Sequence, residues 1–405
     1  MKQKLVLIGN GMAGMRTIDE LLKLAPDKYD ITVFGAEPHG NYNRIMLSPV
    51  LAGDKTIDDI IIHSLQWYKD NNITLYTGKT VTEIDHKNRK VIADDGTVTD
   101  YERIILATGS NPVMLPLPGS DLEGVISFRD INDVNTMINT AKTHKKAIVI
   151  GGGLLGLEAA NGLMIQGMEV SVVQRGDILM NQQLDQAASD LMRAELEAKG
   201  MRFLMNYDTA EFIGNARVEK VKFKDGSEFE ADLVVMAIGV RPNIKLAQAS
   251  GIQCERGILV DDTLKTFSPD IYAVGECVQH RNQTFGLVAP LYEQAKVCAG
   301  HLASNNSGKY ISSVTSTKLK VTGIDLFSAG DFLGNEDSEE LIFKDPARHI
   351  YKKLIINNNR IIGTILYGDT TDGLWYFSLL TDEQDISKMR EEILFGQHHV
   401  EVKQP

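Results

Sequence analysis

The sequence has 405 residues, of which 43% are hydrophobic and 24% charged, a balance typical of globular proteins with two or three domains. Its formal net charge of −12 argues against nucleic acid or an anionic lipid surface as the main partner, because both carry the same sign of charge. Every apolar run is shorter than the roughly 20 residues that a membrane helix needs, so we expect no membrane partner.

A glycine-rich turn follows the first predicted strand. Residues 5–8 are an apolar run, and Gly9-Asn10-Gly11-Met12-Ala13-Gly14, the first glycine turn, comes directly after it. In such a turn the first glycine makes a tight bend, the second lets the backbone approach a pyrophosphate, and the third allows close helix packing. A helix over about 15–24 and a strand over 31–34 complete a βαβ unit. Glu37, just behind that strand, is the predicted acceptor for adenosine ribose hydroxyls.

The same pattern returns about 140 residues later. A predicted strand over 147–150 leads into Gly151-Gly152-Gly153-Leu154-Leu155-Gly156, the second glycine turn, then into a helix through about 166 and a strand over 170–173. Gln174 and Arg175 stand where an acidic residue is expected. Without a carboxylate to repel a 2′-phosphate, the site is open to NADPH as well as or instead of NADH. The alternative is that Arg175 is simply solvated.

The segments that follow the two βαβ units in sequence also resemble each other. Asp94-Asp95-Gly96-Thr97 predicts a turn between short strands, and residues 104–109 predict a buried strand that ends at Ala107-Thr108-Gly109. In the second half, residues 225–227 predict a similar turn and residues 233–239 a similar strand. This internal duplication predicts two similar domains, each closing its own nucleotide site.

From about residue 312 the predicted pattern of secondary structure changes. Strands predicted over 318–321, 326–329 and 350–356 alternate with tight turns, one of them at residues 357–359. A helical tail is predicted from about Leu374. Together these segments indicate a third, α+β domain.

Several runs, taken together, carry a family resemblance. They are the two glycine turns with Glu37 and Glu158, Ala107-Thr108-Gly109, Gly239-Val240-Arg241-Pro242 and Ile271-Tyr272-Ala273-Val274-Gly275-Glu276. Over its whole length the chain resembles the two-dinucleotide flavoprotein reductases that share the glutathione-reductase fold. The resemblance implies an α/β protein with two Rossmann-like domains: an FAD-binding domain formed by 1–113 and 243–311, and an NAD(P)H-binding domain over 114–242. A C-terminal α+β interface domain over 312–405 would follow.

Within that family the chain is most similar to the flavin modules of assimilatory nitrite and nitrate reductases. The runs that indicate this are Asn41-Tyr42-Asn43-Arg44-Ile45-Met46-Leu47-Ser48, the second glycine turn with Leu157-Glu158-Ala159-Ala160, Gln183-Leu184-Asp185, Gly275-Glu276-Cys277 and Phe285-Gly286-Leu287-Val288-Ala289-Pro290. Such reductases continue into iron–sulfur and sirohaem segments, which this sequence lacks. We therefore expect either an excised module or a chain that stands alone, and no nitrite reduction by this sequence by itself.

The resemblance also assigns roles to single residues. Arg44 would lie near the FAD phosphates or adenine, with a surface ion pair as the alternative. Val81 would meet the adenine through its backbone, and Glu276 would bind the ribityl chain. Leu287 and Val288 would approach the isoalloxazine ring. Glu158, predicted on the first turn of its helix, would lie beside the nicotinamide, with helix capping as the alternative.

The chemistry implied is hydride transfer from NAD(P)H to FAD, followed by single-electron transfer to an iron–sulfur or rubredoxin-like acceptor on the same polypeptide or a separate protein. No acid, base or thiol is predicted to be catalytic, because Leu47-Ser48-Pro49 stands where relatives carry a cysteine. The alternatives are a stand-alone rubredoxin or ferredoxin reductase, a nucleotide-sensing flavoprotein and an NADH oxidase. A homodimer is left open.

Cysteine and histidine usage adds two expectations. Cys254, Cys277 and Cys298 form neither a C-x-x-C nor a C-x4-C pair, which predicts reduced thiols in a cytoplasmic protein. The histidines show no ligand spacing with cysteines or carboxylates, so no metal site is predicted.

Overall fold

The computed structural model describes residues 2–304, 308–312, 316–321 and 323–400. Positions 313–315, 322 and 401–405 of the predicted third domain lie outside the described residues. Within the described ranges, no helix combines the length and the apolar character needed to cross a membrane.

The strands and helices are numbered in chain order. The strands are β1 (Gln3–Ile8), β2 (Tyr29–Gly35), β3 (Asn41–Tyr42), β4 (Ile61–His63), β5 (Thr74–Thr77), β6 (Val81–Asp85), β7 (Lys90–Ala93), β8 (Val98–Asp100), β9 (Arg103–Leu106), β10 (Ser110–Pro112), β11 (Val125–Ser127), β12 (Lys146–Ile150), β13 (Glu169–Gln174), β14 (Arg202–Met205), β15 (Thr209–Gly214), β16 (Val218–Phe223), β17 (Glu228–Glu230), β18 (Leu233–Met236), β19 (Val240–Pro242), β20 (Ile258–Leu259), β21 (Ile271–Ala273), β22 (Val278–His280), β23 (Gln283–Thr284), β24 (Ser316–Val321), β25 (Ile324–Gly330), β26 (Glu339–Asp345), β27 (Ile350–Asn357) and β28 (Arg360–Tyr367). The helices are α1 (Met12–Leu24), α2 (Leu47–Ala52), α3 (Leu65–Asp70), α4 (Ile131–Ala141), α5 (Leu154–Ile165), α6 (Gln186–Ala198), α7 (Lys245–Ala249), α8 (Val288–Ser304) and α9 (Gly373–Thr381).

Two compact units emerge from the contacts of the described residues. The first comprises Met1–Val50, Asp54–Val113 and Gly239–Ser313, and the second comprises Leu51–Gly53, Met114–Ile238 and Val314–Pro405. The division of the chain into three domains stays a prediction.

The first unit is built on a parallel sheet of order β21-β9-β1-β2-β5. Its middle strand β1 carries Leu5, Val6 and Leu7, which have no exposed surface, because a parallel strand is covered on both faces. Helices α1 and α8 pack against each other in this unit. The first unit also contains an antiparallel meander of order β6-β7-β8.

The second unit repeats that arrangement. Its parallel sheet has the order β11-β18-β12-β13-β14, again with the strand before a glycine turn in the middle, and β15-β16-β17 is its antiparallel meander. The same unit also contains the antiparallel sheet β24-β25-β28-β27-β26, with α9 packed on β28 and β25. The predicted fold class, two Rossmann-like α/β parts and a C-terminal α+β part, is confirmed.

Two element boundaries differ from the sequence expectation. Helix α1 begins at Met12 rather than near residue 15, because Gly14 belongs to its first turn despite the low helix propensity of glycine. The predicted helical tail is a single helix, α9, followed by short 3-10 turns at Ile393–Phe395 and Gln397–His399.

Candidate functional site

The first glycine turn joins β1 to α1, and each glycine meets a different constraint. Gly9 has a φ of +112°, and a Cβ there would lie 2.1 Å from the carbonyl oxygen of Ala107. A Cβ on Gly14 would lie 2.8 Å from the Gly9 carbonyl oxygen, whereas a Cβ on Gly11 would have no atom within 4 Å. The first and third glycines are therefore required by close packing, which leaves no room for a Cβ, whereas the middle glycine borders open space.

Helix α1 begins with its N–H groups facing that space. Its N-cap is Gly11, which has no side chain to satisfy them, so this end can receive an anion. Met12 and Ala13 form the first turn of the helix. The backbone thus offers what a pyrophosphate needs: donors, a positive dipole end and no obstructing side chain.

The second glycine turn reproduces this geometry between β12 and α5. Gly151 has a φ of +118°, and its Cβ would lie 2.4 Å from the carbonyl oxygen of Ala237. A Cβ on Gly156 would lie 1.9 Å from the Gly151 oxygen, and one on Gly153 would again have no atom within 4 Å. Gly153 is the N-cap of α5, without a capping side chain. The duplicated sequence pattern therefore becomes a duplicated anion cradle.

Glu37 and Arg44 meet at the carboxyl end of the first sheet. Nη2 of Arg44 lies 2.6 Å from Oε1 of Glu37, and the hydroxyl of Tyr42 donates to Oε2 at 2.7 Å. The guanidinium also lies over the Tyr42 ring, 5.1 Å from its centroid. Both charged side chains of this ion pair are partly exposed. Their roles toward FAD remain predictions.

A cavity of about 450 Å³ opens beside the first glycine turn and contains Val81 in its wall. It is lined by Ile8, Gly9, Phe34, Ala36, Lys79, Thr80, Val81, Thr82, Thr108, Asn243, Lys245, Leu246 and Ala249. Lys79, which is paired with Asp95 at 2.5 Å, and Lys245 were not predicted. Nothing in their sequence neighbourhood distinguishes them from other lysines, and only the fold brings them to this wall.

The strand ends β9 and β21 bring further predicted residues to the same edge. The hydroxyl of Thr108 donates to the carbonyl of Asn243 at 2.6 Å, and the hydroxyl of Ser110 donates to Glu276 at 2.6 Å. Gly109 and Gly275 have positive φ values of 67° and 95°. A Cβ on Gly275 would lie 3.0 Å from the Cβ of Ala13, so this bend packs against the start of α1.

A side chain of helix α8 holds the backbone at Gly275 by a hydrogen bond. Gln294 is fully buried, and its Oε1 accepts the N–H of Gly275 at 2.8 Å. Leu287 precedes the helix and is 37% exposed, and Val288 is its first residue. Sequence reasoning missed Gln294, because a glutamine inside a helix carries no local signal of a partner 19 residues away.

In the second unit, the position of Glu158 corrects the sequence expectation. Helix α5 begins at Leu154, so Glu158 is the fifth helical residue and lies in the second turn, not the first. The expected place was wrong because Gly156, the third glycine, is already the third residue of the helix. Both predicted roles of Glu158, beside the nicotinamide or in capping the helix, stay predictions. Leu155, in the first turn, is 37% exposed.

Gln174 and Arg175 do different things at the end of β13. Oε1 of Gln174 accepts the N–H of Gly152 at 2.9 Å, and its Nε2 donates to the carbonyl of Ile178 at 2.9 Å, so this side chain braces the glycine turn. Arg175 is 84% exposed and pairs with Asp208 at 3.0 Å.

Gly239, another residue predicted to bind a nucleotide, has a φ of +105°, and a Cβ there would meet nothing within 4 Å.

The thiols are unsuited to redox exchange. All three cysteines are free; Cys277 and Cys298 are buried, and burial raises the pKa of both. Burial also raises the pKa of Cys254 to about 11. Because the thiolate is the reactive form, none of them is primed as a nucleophile at neutral pH.

Comparison with family models agrees with this geometry. Residues 3–300 match the model of pyridine nucleotide-disulphide oxidoreductases, and residues 316–384 match that of the rubredoxin NAD+ reductase C-terminal domain. The first match covers both glycine turns and every predicted binding residue.

Curated relatives and solved structures give the same result. The chain is 52% identical over 387 residues to a nitrite reductase [NAD(P)H] of Bacillus subtilis (strain 168), covering 96% of this chain and 48% of that protein. It is 47% identical to the assimilatory nitrate reductase electron transfer subunit of the same organism, covering 97% and 51%. The chain thus spans about half the length of these relatives. The crystal structure of NADH:rubredoxin oxidoreductase from Clostridium acetobutylicum superposes with a TM-score of 0.80 at 26% identity, covering 98% and 99%.

Proposed function

The chain belongs to the pyridine nucleotide-disulphide oxidoreductase family, and from this we propose that it is the electron-input module of an assimilatory nitrite or nitrate reductase. It is a flavoprotein oxidoreductase whose cofactors are FAD and NAD(P)H. In the proposed role it passes electrons from NAD(P)H to an iron–sulfur or rubredoxin-like acceptor, on the same polypeptide or on a separate protein.

The observation that carries the proposal is the pair of open glycine turns. At Gly11 and at Gly153 a side chain would project into space that no protein atom fills, at a helix N-terminus that has no capping side chain. A packing role would require neither the open space nor the bare N–H groups. Two dinucleotides account for both.

The residues present fit FAD in the first unit and NAD(P)H in the second. FAD would be held by the first glycine turn, by Glu37 or Arg44 at the strand ends, and by Glu276. NAD(P)H would be held by the second glycine turn and by the end of β13. When bound, FAD supplies the ability to take two electrons as hydride and to release them singly.

The chain's own contribution is binding, orientation and exclusion of water. The N–H groups at the starts of α1 and α5 would hold the two pyrophosphates, while the partly buried Gln174 and the fully buried Gln294 hold the neighbouring backbone in place. No side chain is assigned to proton transfer, because hydride transfer between two cofactors requires none. The raised pKa values of the thiols agree with a route that bypasses sulfur.

Anaerobic stopped-flow spectroscopy of the purified protein tests the proposal. Mixing with NADH or NADPH should bleach the flavin absorbance quickly, and an iron–sulfur acceptor should then restore it. The proposal fails if the flavin is retained and neither nucleotide bleaches it.

The match of residues 316–384 to the rubredoxin NAD+ reductase C-terminal domain favours one second candidate, a stand-alone rubredoxin or ferredoxin reductase. Turnover with rubredoxin as rapid as the flavin bleaching would support it. Slow rubredoxin reduction, together with rapid transfer to a sirohaem–iron–sulfur protein, would support the assimilatory module. We further propose a cytoplasmic location, in keeping with three free cysteines, and a homodimer remains to be tested by sedimentation.

A further inference from the structure

Asn10, between the first two glycines of the first glycine turn, ties that turn to the chain behind it. Its Nδ2 donates to the carbonyl of His39 at 3.2 Å, and its Oδ1 accepts the hydroxyl of Tyr68 at 2.7 Å. Its backbone carbonyl accepts Nδ2 of Asn41 at 3.0 Å. The position of the turn therefore depends on Asn41, which is 1% exposed.

Asn41 is in turn held by His63. Nδ1 of His63 lies 3.2 Å from Oδ1 of Asn41, and Nε2 lies 3.0 Å from Oδ1 of Asp19. The His63 side chain is 8% exposed, and its ring lies 4.0 Å from that of Trp67. Two contacts, one to the buried Asn41 and one to the partly exposed Asp19, thus converge on the two nitrogens of one imidazole.

Both ring nitrogens of His63 face hydrogen-bond acceptors. The Asn41 amide nitrogen donates to the Asn10 carbonyl, so the atom facing His63 is the amide oxygen. Reversing the amide would set its oxygen against the Asn10 carbonyl instead. A neutral imidazole donates from one nitrogen only, whereas an imidazolium donates from both. Only the imidazolium can therefore donate to Asn41 and Asp19 at the same time.

We propose that the proton on His63 positions the first glycine turn and so controls the affinity of this unit for FAD. The proposal rests on the proposed function, because it takes FAD as the occupant of that turn. When the Nδ1 proton passes to water as pH rises, Asn41 loses its donor and the Asn10 carbonyl loses its anchor. The turn then holds the pyrophosphate less firmly. His63 is a positioning residue, since it acts through Asn41 and Asn10.

The groups around His63 support this assignment. The carboxylate that faces His63 is that of Asp19 from α1. The next residue, Glu20, instead forms an ion pair with Arg16, with 2.6 Å between Oε1 and Nη2. From α3 the titratable group is the Tyr68 hydroxyl, whose pKa burial raises to about 12. Tyr68 therefore stays protonated through the range in which a histidine titrates. From β3, Asn41 is neutral.

FAD titration of the flavin-free protein, followed by flavin fluorescence between about pH 5.5 and pH 9, measures the effect. The wild-type Kd should rise about tenfold across this range as a charge-assisted hydrogen bond is lost. His63→Gln should bind weakly with a flat profile. Asp19→Asn should move the rise to lower pH, because the imidazolium loses its counter-charge. The matched control is His86→Gln, which changes an exposed histidine bonded to the Ser250 carbonyl and should keep the wild-type profile.

A flat wild-type profile, or a His63→Gln profile with the wild-type slope, would overturn the inference. Nitrogen-15 NMR of histidine-labelled protein provides a second readout that needs neither FAD nor a folded variant at position 63. Both His63 ring nitrogens should show imidazolium shifts at the pH values where FAD binds tightly, and a neutral ring at those pH values would also overturn it. If the wild type binds no FAD at any pH, the proposed function fails instead, and NMR still reports the charge of His63.

Discussion

The three glycines of each turn differ in what stands opposite them. Gly9 and Gly151 face a carbonyl oxygen of the neighbouring strand end, at distances that no Cβ tolerates. Gly11 and Gly153 face open space. A side chain at the first position should therefore disturb the fold, whereas one at the second should disturb only what binds there.

This contrast predicts opposite results for Gly9→Val and Gly11→Val. Gly11→Val should yield colourless protein whose flavin-free form keeps its free energy of unfolding to within about 1 kcal/mol. Gly9→Val should lose about 3 kcal/mol or more, because it combines a positive φ with a steric clash. Urea unfolding of flavin-free proteins and the flavin absorbance of purified proteins measure the two effects. Full FAD retention in Gly11→Val would contradict the assignment of the turn.

Arg175, at the end of β13, has no acidic neighbour in the position where NADH-binding sites carry one. If this difference serves coenzyme selection, Arg175 favours NADPH over NADH. Arg175→Ala should weaken NADPH binding about fivefold more than NADH binding, because only NADPH carries the 2′-phosphate. Lys224→Ala is the matched control, since Lys224 pairs with the same Asp208 at 3.2 Å from a different strand end. Steady-state KM values for both nucleotides give the comparison. Equal changes for NADH and NADPH would leave Arg175 as a solvated surface residue.

At the level of elements, sequence reasoning succeeded where the signal is local. The strands before both glycine turns, and the hairpin turns at residues 94–97 and 225–227, follow from apolar runs and turn residues that lie close together in sequence. It placed Glu158 one turn too early because packing, not propensity, decides where α5 begins. Lys245 and Gln294 were beyond prediction, since each reaches its neighbours only through the fold.

The C-terminal sheet contains a buried cation that links β27 to the loop before α9. Lys352 is 6% exposed, and its Nζ lies 2.8 Å from Asp369 and 3.6 Å from Asp372. Partial burial opposes ionisation of Asp369, but the hydrogen bonds from Lys352 and Thr371 outweigh it and lower the pKa of Asp369 to about 2. The ion pair therefore ties a strand to the segment that starts the last helix.

This pair predicts acid sensitivity of the C-terminal sheet. Because the folded-state pKa of Asp369 lies below its ordinary value of 3.8, its stabilisation is complete above about pH 4 and is lost as pH falls toward 2. Asp369→Asn should cost about 1 kcal/mol at pH 6, allowing for its partial exposure, and almost nothing near pH 2. Urea unfolding at the two pH values gives the difference. An equal cost at both would show that Asp369 does not act through its charge.

At the level of the whole molecule, the two units repeat one plan. Each has a five-stranded parallel sheet in which the middle strand feeds a glycine turn, and each has an antiparallel meander of three strands. The sequence predicted this duplication because both copies keep their glycines and apolar strands. It could not predict that the contacts of the C-terminal sheet group it with the second copy, since that depends on pairs such as the Tyr351 hydroxyl and Asp185, 166 residues apart.

Separate cradles imply that the two nucleotides can be removed one at a time. Gly153→Val should leave the protein yellow, because the first glycine turn is untouched, and should abolish bleaching by NADH and NADPH, because the second cradle is blocked. Dithionite, which needs no nucleotide site, should still bleach the flavin of this variant as it does that of the wild type. Loss of flavin from Gly153→Val would mean that the second turn does not bind its nucleotide independently. Rapid bleaching by NADH would mean that hydride enters by a route other than the second glycine turn.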